Sequence, residues 1–553
     1  MQKEKLKPML FTDLKNYTGQ QFAKDLISGI IVAIIALPLS IALALASGVG
    51  PEEGIYTAVV AGFLISFFGG SSVQIAGPTA AFATIVAGIV ANRGMNGLIM
   101  ATIIAGIILI LMGILRLGSL IKFIPYTITT GFTAGIAVTI LIGQLKDFMG
   151  AIYPKGTVAI SSTEKLVALS KSVSTFNVNA IIIGVISLII LIVWPKISEK
   201  IPGSIIAVIV GIVLVKVFKL HVFTIGDLYS IHGGLPKFHV PSITIGGIQA
   251  AASDGFTIAI LAAIESLLSC VVADGMINSR HRSNTELVAQ GIGNIGSVLF
   301  GGIPATGAIA RTAANIKNGG KTPIAGIVHS ITLLLVLIVL MPYAKLIPMP
   351  TIAAILFLVA YNMCQWRTFV HLCKTSSKSD IIVLCTTFVL TIVFDLVVAI
   401  EVGMIFACLL FMKRMSDEAS ILGWEYIDPE NDPDATDKKY VPDYVRVYEI
   451  IGPMFFGDSE LIELIELKEY TKILIIRMRG VPAIDATAMQ GLEKLYKQCK
   501  LANVQLIFSH VNEQPMKTME KNKFIERIGS ENFRPNIDAA LKRAEEIGKQ
   551  NNY

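Results

Sequence analysis

The chain has 553 residues, of which 53% are hydrophobic and 16% charged, and its mean hydropathy is +0.67. Soluble proteins carry roughly 25% charged residues, so this composition excludes an ordinary soluble globular chain. The formal net charge of +6 is small for this length, and the basic residues collect in loops, which indicates membrane orientation and no nucleic-acid partner.

Apolar segments near the length of a bilayer-spanning helix recur through most of the chain. The sequence predicts fourteen of them, at 26–47, 55–69, 78–91, 97–114, 124–145, 178–195, 203–219, 254–273, 285–300, 305–316, 322–342, 350–364, 380–395 and 397–412. The third and the tenth are too short to cross ~30 Å of hydrocarbon at ~1.5 Å per residue. An even number of segments puts both ends of the protein on one side of the membrane. The lysine-rich N-terminus and Lys413 with Arg414 predict that this side is the cytoplasm of a bacterial-type inner membrane.

The composition changes after Met415. Residues 416–438 are acidic with two prolines and are predicted to be a linker, so the domains are expected at 1–415 and 439–553. In the second domain, VRVYEI (445–450), ILIIRM (473–478) and VQLIFS (504–509) are typical of strands. Residues 488–500 and 536–547 have helical periodicity. Strands that alternate with helices predict a small α/β domain.

Two stretches in the membrane part resemble each other. Residues 67–80 are FFGGSSVQIAGPTA, and residues 299–312 are LFGGIPATGAIART. Each follows an apolar helix and leads into one of the two short segments. Seven predicted helices separate the copies, so the repeats are inverted relative to each other. Paired short segments interrupted by glycine and proline at corresponding positions indicate the binding site of a transporter.

Two half-helices that begin in the middle of the membrane would direct their N-termini toward each other. Each N-terminus carries about half a positive charge and N–H groups without partners. The space between them is therefore predicted to bind an anion. The alternative is that the glycines only allow close helix packing. The matched occurrence of two such clusters favours the anion site.

Charged residues inside the membrane segments are functional candidates because they are costly there. Glu265 lies in the middle of the eighth segment, and Ser269 follows one helical turn later on the same face. Glu265 could bind a cation or a proton, or it could be a structural partner of Arg311. Arg311 lies about one turn into the tenth segment and could face the substrate, pair with Glu265 or reach the cytoplasmic interface. The chain has no Walker motif, so ATP-driven transport is not expected.

Taken together, GGSSVQIAGPTAA, AAIESLLS, GGIPATGAIART and the C-terminal α/β domain resemble the SulP/solute-carrier anion transporter family. GPMFFG (452–457) and VPAIDATAMQGL (481–492) resemble the STAS domain of that family. The resemblance implies two inverted seven-helix repeats, with helices 1–4 and 8–11 as a core that moves like an elevator against a gate. It also implies a homodimer in the lipid bilayer, no enzymatic activity and no cofactor.

The resemblance further implies site residues. The anion is expected between the starts of helices 3 and 10 and beside helix 1, at Leu37, Pro38, Ser40, Ala76, Gly77, Pro78, Thr79, Ala80, Thr306, Gly307, Ala308 and Arg311. Bicarbonate-transporting relatives bind sodium at positions that correspond here to Glu265, Ser269, Gly307, Ala308 and Ile309. Those relatives have aspartate and threonine where this chain has Glu265 and Ser269, so Na⁺ and H⁺ both stay open as coupling ions. No other metal is expected.

In the regulatory STAS relatives a serine is phosphorylated, and the corresponding residue here is Thr487. A phosphate at this position would lie favourably at a helix N-terminus. The alternative is a threonine that only caps the helix or belongs to its first turn.

The sequence therefore predicts a secondary active transporter of a small inorganic anion, by default sulfate, with H⁺ or Na⁺ symport. Bicarbonate and C4-dicarboxylates are alternative substrates. An exchanger, a channel or another uncoupled pathway is an alternative mechanism. A nucleobase permease would share the inverted repeats, but the STAS domain and Arg311 argue against it.

Overall fold

In the computed structural model the chain forms two compact units, Met1–Met404 and Ile405–Tyr553. The described residues are 6–119, 125–154, 157, 159–198, 202–229, 231, 234–239, 241, 244–394, 396–417, 420–424, 426–427, 439–455, 462, 465, 467–468 and 470–551.

The first unit is helical, with two very short strands. Its helices, the last of which crosses into the second unit, are α1 (Leu10–Asp13), α2 (Gly19–Ala46), α3 (Pro51–Phe68), α4 (Ala80–Ile114), α5 (Tyr126–Met149), α6 (Ser162–Lys171), α7 (Val178–Ile197), α8 (Gly203–Val217), α9 (Ile225–Leu228), α10 (Ile245–Ile277), α11 (Ser283–Leu299), α12 (Ile309–Lys317), α13 (Ile324–Ala344), α14 (Met349–Cys364), α15 (Trp366–Thr375), α16 (Lys378–Val393) and α17 (Leu396–Asp417). The strands are β1 (Ala76–Gly77) and β2 (Thr306–Gly307).

The predicted membrane segments all correspond to helices in the predicted order. The third and fourth form the two parts of α4, which is interrupted at Gly94, where φ is +66°. The tenth is α12, which has only 9 residues. Within the described parts of the chain, 7 helical stretches are long and apolar enough to span a membrane by length and composition. The protein is therefore a multi-pass membrane protein.

Some boundaries differ from the prediction because local capping decides them. Helix α2 begins at Gly19, before the apolar run, because the Thr18 side chain accepts a hydrogen bond from the N–H of Gln21. Helix α6 was not predicted, and it begins with a capping box formed by Ser161 and Glu164. Helix α15 was also not predicted because its polar residues interrupt the apolar pattern.

The helix packing has an internal two-fold pattern. Helix α3 packs on α11, and α5 packs on α14, and in each pair the two helices occupy corresponding places in the two halves of the chain. The contact between α2 and α13 corresponds to that between α10 and α4, and the contact of α5 with α16 corresponds to that of α14 with α7. Pairwise repetition of this kind is what two inverted repeats produce when they interlock.

The second unit is an α/β domain. Its strands are β3 (Ser420–Trp424), β4 (Tyr426–Ile427), β5 (Lys439–Tyr440), β6 (Val445–Ile451), β7 (Ile473–Gly480), β8 (Gln505–Ser509) and β9 (Phe533–Arg534), and its helices are α18 (Ala486–Leu501), α19 (Glu513–Lys521), α20 (Phe524–Ile528) and α21 (Ile537–Asn551). The main sheet has the order β3-β6-β7-β8-β9. Strand β3 is antiparallel to β6, and the other neighbours are parallel.

Both faces of this sheet are covered. Leu474 and Ile476 of β7 pack in one apolar cluster with residues of α18, α19 and α20. Ile473 and Ile475 of the same strand pack on the opposite face against α21. This period of two places a hydrophobic layer on each side, as expected for a parallel strand buried on both faces.

The segment predicted as a linker contains structure. Ser420–Trp424 forms β3, which pairs along β6, and Tyr426–Ile427 pairs with Lys439–Tyr440. The acidic composition that suggested a linker belongs mainly to residues 428–438, which lie outside the described residues.

Candidate functional site

The first part of α4 and the short helix α12 begin next to each other. The strands that precede them, Ala76–Gly77 and Thr306–Gly307, pair in antiparallel register. The N–H of Ala308 also donates to the carbonyl of Ile75, at 2.9 Å. The residues expected on the two sides of the anion therefore lie beside each other, joined by backbone hydrogen bonds.

These helix starts leave N–H groups available to a ligand. Among the described residues, neither N-cap side chain, Thr79 for α4 or Ala308 for α12, accepts a hydrogen bond from its own helix. The first N–H groups of a helix have no intrahelical partner and carry partial positive charge. Pro78 and Ala80 are buried around the first of these starts, so few waters can compete for its N–H groups.

Arg311 places a full positive charge at the same point. Its side chain is only 2% exposed, and its Nη2 donates to the carbonyl of Pro78. Its Nε and Nη1 have no hydrogen-bond partner among the described residues. A side chain on Gly77 would begin 2.4 Å from Nη1, and the φ of Gly77 is +156°, so any other residue here would displace the guanidinium and strain the backbone. Buried donors without partners are costly, and an anion would satisfy them.

Glu265 contacts the start of α4 and not Arg311. Its carboxylate accepts a hydrogen bond of 3.0 Å from the Thr79 hydroxyl, the N-cap residue of α4. In the described part of the chain no ion pair joins Glu265 to Arg311. The structural pairing of these two residues that the sequence left open is therefore absent, and Glu265 is connected to the anion region through Thr79.

Around the expected position of the coupling ion, serine residues of α10 contact α12 and β2. The Ser269 hydroxyl lies 3.5 Å from that of Thr312, at the limit of a hydrogen bond. Ser266, which the sequence analysis did not single out, makes shorter contacts to Thr306 at 2.7 Å and to the N–H of Gly307 at 3.1 Å. Ile309 is partly exposed at the first position of α12.

Helix α2 supplies the remaining predicted residues. Pro38 and Ser40 are buried, and Leu37 is half-buried. Pro38 lies inside the helix and cannot donate a backbone hydrogen bond, which weakens the helix at this level. The Ser40 hydroxyl has no partner among the described residues, although the side chain is 0% exposed. It is therefore a further buried polar group available to a ligand or water.

Two buried carboxylates that the sequence analysis assigned no role hold the repeats together. Glu286 of α11 accepts hydrogen bonds from the Gly70 N–H at 2.9 Å and the Gln74 amide at 2.7 Å, both in the loop before β1. Asp25 of α2 accepts from the Lys321 N–H at 2.9 Å and the Thr322 hydroxyl at 2.6 Å, in the loop after α12. Each carboxylate therefore fixes the loop beside the half-helix of the opposite repeat. Their signal in the sequence was a carboxylate near the start of an apolar segment.

Thr487 lies in the first turn of α18. The N-cap of this helix is Asp485, whose side chain accepts from the N–H of Ala488 at 2.8 Å. Thr487 is half-buried, so a kinase would reach only part of its side chain.

Comparisons with known proteins agree with this architecture. The Sulfate permease family profile matches residues 22–387, and the STAS domain profile matches residues 438–540. YvdB of Bacillus subtilis, which is named as a sulfate transporter, is 39% identical over 536 residues. The match covers 94% of this chain and 97% of YvdB. The bicarbonate transporter BicA of Picosynechococcus sp. is 29% identical over 547 residues, covering 94% of each chain.

Solved structures share the fold. The transmembrane domain of a cyanobacterium bicarbonate transporter BicA matches with a TM-score of 0.62 and 30% identity, covering 71% of this chain and 98% of that chain. The murine Slc26a9 anion transporter matches with a TM-score of 0.87 over 97% of this chain and 94% of that chain, but at 19% identity, so it supports the fold alone. The chain therefore belongs to the sulfate permease family, whose members are transporters and not enzymes, and it carries a STAS domain.

Proposed function

We propose that this protein is a secondary active transporter that binds a small inorganic anion between the starts of α4 and α12. The observation that carries the proposal is the Arg311 guanidinium, buried between two helix N-termini with Nε and Nη1 unpaired among the described residues. An anion in this space would receive charge-assisted hydrogen bonds from Arg311 and from backbone N–H groups. The proposed anion-binding residues lie on α2 and around the starts of α4 and α12: Leu37, Pro38, Ser40, Ala76, Gly77, Pro78, Thr79, Ala80, Thr306, Gly307, Ala308 and Arg311.

The proposed coupling group is Glu265. Its contact with Thr79 connects the carboxylate to the helix start that would bind the anion. A proton or a sodium ion bound at Glu265 would compensate the negative charge of the anion, so the two would bind more favourably together than apart. Carboxylate and hydroxyl oxygens are ligands that a hard cation such as Na⁺ accepts, and a proton needs only the carboxylate.

Sulfate is the proposed substrate by default. YvdB is named as a sulfate transporter, and it matches nearly the whole chain. Bicarbonate is the second candidate, because BicA is a bicarbonate transporter and also matches nearly the whole chain. A C4-dicarboxylate would use the same donors. The positive charge and N–H donors of the site do not distinguish among these anions.

The proposed transport cycle is an elevator movement in a homodimer. Helices α2, α3, α4, α10, α11, α12 and α13 would be the moving core, and α5, α7, α8, α14, α16 and α17 would be the gate. Helices α5 and α14 pack on each other more extensively than on the core helices α2 and α4, which supports this division. Both termini would lie in the cytoplasm, with the membrane domain ending near residue 415 and the STAS domain beginning with β3 at Ser420.

The test is uptake by the purified protein in liposomes. Labelled sulfate and bicarbonate are supplied with an inward proton gradient, an inward sodium gradient or neither. We expect concentrative uptake of one anion under one gradient. We expect Glu265→Gln to abolish that accumulation, whereas Glu401→Gln, which changes an exposed carboxylate, should leave it unchanged.

Three results would contradict the proposal. Equal, non-concentrative flux under all three conditions would identify an exchanger or an uncoupled pathway. Gradient-driven uptake that persists in Glu265→Gln would exclude Glu265 as the coupling group. If neither anion moves but labelled uracil does, in competition with unlabelled base, the protein is a nucleobase permease.

A further inference from the structure

A polar cavity lies near the proposed anion site. It has a volume of about 310 Å³, enough for roughly ten waters at ~30 Å³ each. We call it the α5–α6 cavity, and it is lined among others by Ala83, Thr84, Gln144, Lys146, Asp147 and Lys165. Ala83 and Thr84 belong to the first turns of α4, the helix whose start forms half of the anion site. The cavity is therefore adjacent to that site along one helix.

The Lys165 ammonium is directed into this region. Its Nζ lies 3.7 Å from the position that a Cβ on Gly143 of α5 would occupy, so the side chain extends from α6 to the α5 wall. No hydrogen bond or ion pair of this ammonium is found in the described part of the chain. Burial lowers the pKa of Lys165, and the nearby Glu164 offsets this only in part.

Glu164 does not balance Lys165 because its carboxylate has another role. It accepts the N–H groups of Ile160 at 2.8 Å and Ser161 at 3.0 Å, which completes the N-terminal cap of α6. A carboxylate fixed at a helix start in this way is directed toward the backbone N–H groups and not toward the cavity.

The other charged groups of the cavity largely compensate each other. Lys146 lies over the ring of Tyr153, 5.2 Å from its centroid, and it is followed directly by Asp147. These two adjacent residues contribute opposite charges to the lining. Lys165 is then the excess cation, and Gln144 adds an amide that can donate to an oxyanion. The cavity therefore has a net positive lining with neutral donors.

We propose that the α5–α6 cavity is an access site for the transported oxyanion, in which Lys165 binds the anion before it reaches the starts of α4 and α12. This inference rests on the proposed function and adds a second binding position to it. A cation in a concave site raises the local concentration of anions and speeds their arrival, and this effect is weakened by salt. Lys165 acts on capture of the anion and not on the coupling chemistry at Glu265.

The first experiment measures initial rates of anion uptake in liposomes for Lys165→Ala, Lys165→Arg and Lys171→Ala. Lys171 is a matched control, because it lies on the same helix, is exposed and does not line the cavity. We expect Lys165→Ala to raise KM roughly threefold to tenfold with kcat within about twofold, and to flatten the dependence of KM on ionic strength. Lys165→Arg should keep a KM near that of the unchanged protein, and Lys171→Ala should have no effect. Equal KM values for Lys165→Ala and Lys171→Ala would overturn the proposal.

The second experiment does not depend on transport. An amine-reactive reagent is applied to the protein in detergent, and labelling of each lysine is followed by mass spectrometry with sulfate or with chloride at equal ionic strength. We expect sulfate to slow labelling of Lys165 and to leave Lys171 unchanged. Protection without uptake would retain anion binding at Lys165 but remove both the transporter proposal and the role of the cavity as an access site. Uptake without any selective protection would remove the access site alone.

Discussion

At the scale of single residues, the site depends on how one guanidinium is accommodated. Arg311 is buried against β1, and it fits only because Gly77 has no side chain. A buried charge with unsatisfied donors destabilises the folded protein, and a ligand that accepts hydrogen bonds from those donors would offset this cost. Arg311 and Gly77 therefore function as a pair, although they lie in different repeats of the membrane part.

We expect Gly77→Ala to impair anion uptake strongly. The new Cβ would lie 2.4 Å from Arg311 Nη1, and overpacking of this kind costs roughly 1–3 kcal/mol, which here displaces the guanidinium. Uptake should fall roughly tenfold or more. Gly88→Ala, in the α4 helix that follows β1, is the control, because nothing lies within 4 Å of its Cβ position. Equal uptake by the two variants in liposomes would contradict this account of Gly77.

The Thr79–Glu265 contact gives a second prediction at this scale. We expect Thr79→Val, which keeps the shape of the side chain but removes the donor, to weaken the dependence of uptake on the coupling-ion gradient. The loss of one hydrogen bond to a carboxylate amounts to about 1.5–3 kcal/mol. Thr102→Val serves as the control, because that hydroxyl bonds only within α4, to Leu98. If both variants keep the full gradient dependence, the contact has no part in coupling.

At the scale of elements, the sequence predicted where the helices lie far better than which elements contact one another. The order of the fourteen segments and the shortness of α12 could be predicted because apolar runs and glycine–proline clusters are local signals. The β1–β2 pair could not, since it joins Ala76–Gly77 to Thr306–Gly307 across the whole length of a repeat. The partners of Glu265 and Glu286 were missed for the same reason: each lies on another element, at a distance that no local pattern encodes.

Glu286 provides the test of this cross-repeat arrangement. We expect Glu286→Ala to lower the free energy of unfolding by about 2–4 kcal/mol, because the Gly70 N–H and the Gln74 amide would lose a charged acceptor in a buried place. The measurement is thermal unfolding of the full chain in detergent. Glu401→Ala, at an exposed position, should leave the transition unchanged. A Glu286→Ala transition that coincides with this control would show that the loop is held without the carboxylate.

At the scale of the whole molecule, the boundary of the STAS domain matters for its stability. Strand β3 covers the edge of β6 along Ser420–Trp424, and Ile421 packs on the apolar cluster under α18. A fragment that begins at the predicted boundary, residue 439, would expose this edge. Uncovered strand edges destabilise sheets and promote aggregation.

We therefore expect a soluble fragment 420–553 to unfold at a higher temperature than a fragment 439–553, by roughly 5 °C or more, since 1 kcal/mol corresponds to ~4–8 °C in a small domain. Circular dichroism melting and light scattering of the two fragments would measure this difference. A variant of the longer fragment with Ile421→Asp should behave like the shorter one. Identical melting of all three fragments would mean that β3 contributes nothing to the domain.

The β1–β2 pair also bears on how the protein would transport an anion in each direction across the membrane. Backbone hydrogen bonds fix the starts of α4 and α12 to each other, so these starts cannot separate to release the anion without breaking the pair. In the proposed site, an anion would keep the same donors whichever side of the membrane it can reach. We therefore expect its dissociation constant at this site to be similar toward both sides. The direction of net flow would follow the gradients of the anion and of the coupling ion, and the protein would set only its rate.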